Sequence, residues 1–330
     1  MSAIGSSRIN HQSNGHAAVL REVLAQAGQL LIVTLFVTFL TFLMIRIAPG
    51  DAVDALSGTH GTDATRAATR AALHLDDSLP RQVAVYAKRL ARGDLGRSLV
   101  QQGRSVSEIM AARLPVTLSV MAGAILSGCL IAIPLGLLAA MAPRRGIDVA
   151  IQTFLSAVLA CPPFFIGLLL ILGPALAFRW FPAGGWPGTW PENAGYLILP
   201  SIALAGNLLP QLARAVRQAA LDAMREHWYE AALARGLSTR TLALHHVLQN
   251  SLLPVVTLIG LNIGALIAGA VVVEAVFGLP GIGQELISAI DQRDYPLVQG
   301  IVLITALCAV LANLVADIAY RFIDPRTRSP

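Results

Sequence analysis

Reactive side chains are few in this sequence, and their spacing excludes more chemistry than it permits. A phosphate-binding loop needs glycines ahead of a lysine that reaches the β- and γ-phosphates. The one lysine, Lys88, stands in VAVYAKRL with no glycine beside it. Any ATP-driven step therefore needs a separate subunit to hold the nucleotide. The apolar runs carry no HExxH array, paired aspartates or Ser/His pair, which argues against an intramembrane protease. His245 and His246 are adjacent, so on a helix they point in different directions and make no metal pair. Cys129, Cys161 and Cys308 fall inside apolar runs as small hydrophobes, with neither a disulfide framework nor zinc spacing. Two features remain. One is a set of polar side chains inside apolar stretches, Gln152, Asn207, Asn262, Asn313 and Asp317; such groups either line a solute pathway or hydrogen-bond between helices. They do not form the chain of carboxylates a proton-driven carrier needs. The other is a charged octet, EAALARGL, from Glu230 to Leu237.

The elements that hold these residues are apolar. Of 330 residues, 55% are hydrophobic and only 13% charged, and the mean hydropathy is +0.65. Soluble domains carry about a quarter charged residues, so the composition describes an all-α polytopic membrane protein. Six stretches approach the ~20 apolar residues that cross a bilayer. They are Gln29–Ile47, about Pro115–Met141, about Ile147–Phe178 with a kink at Pro162 and Pro163, Tyr196 to about Ala215, Leu252–Val273, and Leu297 to about Tyr320. The first is longer than the apolar core of a cleaved signal peptide and is expected to remain as an anchor. The expected organisation is a flexible cytoplasmic tail (1–25), a first span (26–48), an outer helical loop (49–114), a membrane core (115–320) holding an inner loop (217–250), and a cytoplasmic tail (321–330).

Arginine placement orients the bundle, because short cytoplasmic loops accumulate Lys and Arg. With the N-terminus inside, the inner segments hold Arg8, Arg21, Arg144, Arg145, Arg214, Arg217, Arg225, Arg235, Arg240, Arg321, Arg326 and Arg328, against Arg179 and Arg293 in the two short outer loops. The long outer segment carries nine basic residues, but segments beyond about 60 residues translocate largely regardless of charge. Both termini are thus expected in the cytoplasm, and the net charge of +5 reads as topology rather than nucleic-acid binding. In the outer segment, DATRAATRAALHL (Asp63–Leu75) and LPRQVAVYAKRLARG (Leu79–Gly93) have helical spacing, with Pro80 placed to start a helix and Gly93 to stop one. Trp180, Trp186 and Trp190 in WFPAGGWPGTWPE suit an aromatic belt. Both features read equally as structural caps or as partner contacts.

The charged stretch lies between the fourth and fifth spans. In QAALDAMREHWYEAALAR (Gln218–Arg235), Leu221, Met224, Trp228 and Ala231 or Ala232 recur at helical spacing, which predicts one amphipathic helix. Gly236 stands where a helix end needs a left-handed residue, and Ser238 can cap a second helix, TRTLALHHVLQN. Such a helix could lie on the bilayer surface. Small residues beside a carboxylate, Ala231 and Ala232 next to Glu230, favour close docking on another protein.

Glu230-Ala231-Ala232 followed by Gly236, with Leu253-Pro254 opening the next span, resembles the EAA loop of ABC-importer permeases. HVLQNSLLPVVTLIG (His246–Gly260), VVVEAVFGLPGIGQELISAIDQRDYPLVQG (Val271–Gly300), RGDLGRS (Arg92–Ser98) and FIDPRTR (Phe322–Arg328) are similar to the dipeptide, oligopeptide and nickel branch of that family. The resemblance runs from about Gln26 to Arg328 and points to the first, B-type, of the two paired permeases. Leu73-His74-Leu75-Asp76 followed by Leu79-Pro80 departs from the family's usual Leu-Gly-Leu-Asp and Pro-Leu. That departure puts the local turn of the outer loop in question.

The resemblance implies a type I ABC importer permease fold with six transmembrane helices in a bacterial inner membrane. It implies a coupling helix seated in a groove of an ATPase, with Glu230 facing a basic group, Ala231 and Ala232 allowing close approach, and Gly236 forming the corner. His246, Asn250 and Pro254 belong to the same loop pattern. The implied partners are a paralogous permease, two ATPase subunits that bind ATP and Mg, an extracytoplasmic solute-binding protein and membrane lipid, with no cofactor in this chain and no nucleic acid. Peptides are the expected cargo, with nickel or another small solute as the alternative. An ion-gradient carrier would show inverted repeats with matching broken helices, and none is evident. A purely structural scaffold would leave the Glu230–Gly236 pattern unexplained.

Overall fold

The computed structural model describes residues 28, 32–36, 38–40, 78–90, 92–101, 103–142 and 146–323. Most of the expected first span, the Asp63–Leu75 stretch, the Leu73–Asp76 departure, the tail 1–25 and the residues beyond 323 lie outside this description. In chain order the helices are α1 (Leu79–Leu90), α2 (Val106–Met141), α3 (Gly146–Ala160), α4 (Pro163–Ala177), α5 (Asn193–Ala205), α6 (Leu208–Ala223), α7 (His227–Ala234), α8 (Thr239–Phe277), α9 (Ile282–Asp291) and α10 (Tyr295–Ile323). Among the described residues there is no strand, only an isolated bridge between Arg97 and Ser105. Among the described residues three helices, α2, α8 and α10, are long and apolar enough to cross a bilayer, and up to five spans result if each of two bent helix pairs counts as one.

Both bent pairs trace to proline. Between α3 and α4 the axis turns by 105°. Pro162 has φ −61° and ψ 149°, the extended conformation imposed on a residue that precedes proline. The kink expected at Pro162–Pro163 is therefore a full break. The fourth span, expected as one rod, is also broken, with α5 and α6 meeting at 65°. Gly206 and Asn207 keep right-handed helical dihedrals there. The cause lies one turn on: Pro210, in the first turn of α6, lacks an N–H, and its ring crowds the carbonyl of Gly206.

The chain divides into two compact units, residues 1–106 with 292–314 and residues 107–291 with 315–330. In the second, α8 packs along α6, and α6 also packs on α3. The buried face of α6 is Leu208, Leu212, Ala213, Val216, Ala220 and Ala223, and α8 contributes Val255, Leu266 and Ala270. The alanines let neighbouring backbones approach where lipid supplies no hydrophobic drive. Arg217 on α6 forks onto Asp148 on α3, Nε to Oδ1 at 2.8 Å and Nη2 to Oδ2 at 2.6 Å, the bidentate geometry that makes an Arg–carboxylate pair strong. Arg214, one turn away, donates to the Ser156 hydroxyl at 2.8 Å. Both arginines, expected in an inner loop, thus sit on α6, because that helix runs eight residues past Ala215.

In the first unit, α1 stops where expected. Gly93 has φ +75°, its N–H bonds the Leu90 carbonyl, and the Asp94 N–H bonds the Arg89 carbonyl, the paired closure of a Schellman end. The following residues form a tight hairpin. Asp94 accepts from the Gly96 N–H at 2.9 Å, and the Ser98 N–H reaches the Arg104 carbonyl at 2.9 Å. Asp294, 1% exposed, then clasps the hairpin to the start of α10. Its carboxylate accepts from the Ser98 hydroxyl, from the Leu99 and Val100 N–H groups at 3.1 and 3.4 Å, and from the Leu297 N–H at 3.4 Å.

Candidate functional site

The charged octet forms a compact corner, though the helix leading to it differs from the expected one. The single helix over Gln218–Arg235 is in fact two, because α6 ends at Ala223 and α7 begins at His227. Between them Glu226 adopts φ −72° and ψ 145°. The reason is the register of the buried face. Positions 216, 220 and 223 point inward, and an unbroken helix would carry His227 and Glu230 inward next. The break resets the phase. Tyr229 enters the core instead, at 8% exposure, with Ala232 packed half-buried behind it, while Glu230 and Ala231 face outward. Trp228, expected on the apolar face, is 36% exposed.

The far end of α7 closes as its residues dictate. Gly236 has φ +85° with no atom within 4 Å of an added Cβ, so the glycine is needed for its backbone conformation rather than for space. Its N–H bonds the Leu233 carbonyl at 2.9 Å, and the Leu237 N–H bonds the Ala232 carbonyl at 3.3 Å, again a Schellman closure. Ser238 follows with φ −69° and ψ 144°, its hydroxyl accepting from the Thr241 N–H as an N-cap does. The second helix is not a separate element as expected. Thr239 through Phe277 is one helical run, with π-helical turns over Ala243–Val247. The helix that carries the fifth apolar stretch therefore begins well before Leu252.

His246 and Trp228 join the two arms, with ring centroids 6.1 Å apart in an edge-to-face arrangement; Trp228 also meets Tyr229 at 5.8 Å. His246 thus packs on an aromatic ring, and His245 Nδ1 lies 3.2 Å from the Thr241 carbonyl. Asn250 donates to the His246 carbonyl at 3.1 Å, and Pro254 lies inside α8. The outer surface of the corner carries Glu226 and Glu230, Arg225, Arg235 and Arg240, together with exposed Trp228, Leu233 and Leu237. Apolar side chains ringed by charges of both signs suit a protein contact better than bulk water.

The expected intramembrane polar residues separate. Asn262 on α8 donates to Gln211 Oε1 on α6 at 3.2 Å, and Gln211 in turn donates to the Asn207 carbonyl at 2.9 Å. Asn262 and Gln211 thus bond the two helices, while the Asn207 side chain is exposed and only its backbone carbonyl takes part, within α6. Gln152 lies half-buried on α3, apart from that group, and its carbonyl accepts from the Ser156 hydroxyl at 2.8 Å. Asn313 and Asp317 fall on α10, where side chains are outside the description.

Sequence reading passed over Glu274, the only acidic residue between Thr241 and Gln284. It is fully buried near the end of α8. Oε1 accepts from the Thr117 hydroxyl at 2.6 Å, and Oε2 accepts from the Gly283 and Gln284 N–H groups at 2.7 and 3.3 Å. Thr117 Oγ1 accepts from the Ile282 N–H at 2.9 Å, and Arg113 pairs with Glu285 at 2.9 Å. Two residues one turn apart on α2 and one carboxylate on α8 thereby hold the first turn of α9. A lone acid in an apolar run was the available signal.

Residues 132–329 match the family model described as binding-protein-dependent transport system inner membrane component. The oligopeptide transport system permease protein AppB of Bacillus subtilis is 36% identical over 300 residues, covering 89% of this chain and 95% of that protein. The di/tripeptide transport system permease protein DppB of Pseudomonas aeruginosa is 36% identical over 326 residues, covering 91% and 96%. The glutathione transport system permease protein GsiC of Salmonella choleraesuis is 34% identical over 310 residues, covering 94% and 99%.

Proposed function

The chain belongs to the binding-protein-dependent transport system inner membrane component family, and on that premise we propose that it imports peptides as one half of a two-permease pathway. It is a multi-pass membrane subunit of a transporter and not itself a hydrolase; a solute-binding protein and an ATPase complete such a system. The peptide reading rests on relatives named for oligopeptides, di/tripeptides and glutathione. Nickel or another small solute is the alternative cargo. The full arrangement in this reading has six spans, both termini in the cytoplasm, an outer segment over residues 49–114, a paralogous permease beside this one, and two ATPase subunits.

One observation carries the mechanism: the corner at Glu230–Gly236 is pinned by named contacts, and from Thr239 a single helical run continues to Phe277. Tyr229 anchors α7 in the core, the Schellman closure at Gly236 fixes the turn, and Ser238 caps the start of α8. At 1.5 Å per residue, α8 extends roughly 58 Å. A displacement applied to α7 by a closing ATPase pair reaches the far end of α8, whereas a flexible loop would absorb it. In this reading Glu230 meets a basic group on the ATPase, Ala231 permits close approach, and Ala232 backs α7 against the core. Gly236, His246, Asn250 and Pro254 shape the corner and the base of the lever, and the Asn262–Gln211 bond ties it to α6. Gln152, Asn207, Asn313 and Asp317 are the polar residues left as candidates for the pathway.

Reconstitution tests the reading against an ion-gradient carrier. Vesicles holding both permeases, the ATPases and the binding protein are expected to accumulate peptide only with ATP. Uptake by this chain alone, driven by an ion gradient, would refute it.

A further inference from the structure

A second surface, in the other unit, is unexplained by the coupling corner. Lys88, Arg89, Arg92, Arg97 and Arg104 are exposed within 17 residues, and Arg293 is exposed beside the clasping Asp294. None of the six forms an ion pair with a described residue. The exposed acid among them, Asp94, already accepts from its own turn at Gly96. Unpaired cations repel one another, so holding them together needs a scaffold. The scaffold is specific: the Schellman end at Gly93, the Arg97–Ser105 bridge, and the buried Asp294 carboxylate gripping Ser98, Leu99 and Val100.

From this we infer that the hairpin from Arg92 to Arg104, with Lys88, Arg89 and Arg293, is a preorganised cationic platform on which an acidic face of the extracytoplasmic solute-binding protein docks. The inference rests on the importer reading, which puts residues 49–114 outside. Five of the six cations are arginines, whose planar fork engages carboxylates two bonds at a time. A platform already fixed in shape loses little conformational freedom when bound. Anionic lipid headgroups are the competing occupant, and the hairpin lacks what they need. Surface-seated elements bury an apolar face, yet Leu95 is turned inward at 8% exposure, Leu99 is half-buried, and only Val100 among the hairpin's large apolar side chains is exposed.

The test uses the whole transporter in phosphatidylcholine nanodiscs, titrated with its solute-binding protein while ATP hydrolysis is followed. For R92E/R97E/R104E the half-saturating concentration of binding protein is expected to rise about tenfold or more, the scale of lost electrostatic steering. The hydrolysis plateau should be unchanged. Added salt should weaken docking of the parent protein and barely affect the variant. R92K/R97K/R104K keeps the charge but loses the bidentate fork, so its half-saturation should fall between those of the parent and the Glu variant. An unchanged half-saturation in the Glu variant overturns the proposal, as does a plateau lost in both variants. A shift seen only when phosphatidylglycerol is present overturns it in favour of lipid. Failure of the parent transporter to respond to any solute-binding protein instead sinks the importer reading itself.

Discussion

Replacing Gly236 tests whether the corner must be rigid. The site has φ +85° and open space around an added Cβ, so a side chain meets no neighbour and only the backbone conformation is penalised. An L-residue held left-handed costs about 1–2 kcal/mol, which shifts the balance between closed and frayed corner roughly 5- to 30-fold. Asparagine tolerates the left-handed region better than alanine despite its larger size, and valine tolerates it worst. The expected order of coupling is therefore Gly, Asn, Ala, Val. The assay is peptide imported per ATP hydrolysed in vesicles, with the amount of inserted permease measured alongside. Import per ATP should fall along that order while insertion holds. An alanine variant equal to the parent, or an asparagine variant worse than alanine, would refute the reasoning, because size at the ATPase contact would then matter more than backbone conformation.

Tyr229→Ala should free α7 from the core at a cost of about 3–5 kcal/mol, as for other buried aromatic truncations, and limited proteolysis should then cut between residues 224 and 237; Tyr229→Phe should resist like the parent. Glu230→Lys should abolish uptake without affecting membrane insertion, read by transport and by membrane fractionation. Glu274→Ala leaves the Thr117 hydroxyl and two N–H groups without their acceptor, at about 1–3 kcal/mol for each buried group left unmade; thermal unfolding in detergent should drop clearly further for Ala than for Gln at this position.

The parts of this structure legible in the sequence are those decided locally. Gly93 and Gly236 close helices because few other residues sit at positive φ, Ser238 caps because its hydroxyl reaches three residues ahead, and Pro162–Pro163 breaks a span because prolines cannot continue one. The bend at Gly206–Asn207 was equally local but lay one turn away from its cause, Pro210, inside a run that reads as uniformly apolar. The phase reset before α7 was hidden because Leu221, Met224 and Trp228 continue a plausible helical stripe; only the burial of Val216, Ala220 and Ala223 shows that the stripe would bring His227 and Glu230 inward. The Glu274 and Asp294 clasps join positions up to 157 and 196 residues apart, and no periodicity encodes such pairings.

The most direct measurement places a photo-crosslinking residue at Ala231 in the assembled transporter and identifies what it captures. The account predicts an ATPase subunit, with a yield that changes between the nucleotide-free and ATP-bound states. Capture of lipid alone, or labelling of that position by a membrane-impermeant reagent applied from the extracytoplasmic side, would contradict it.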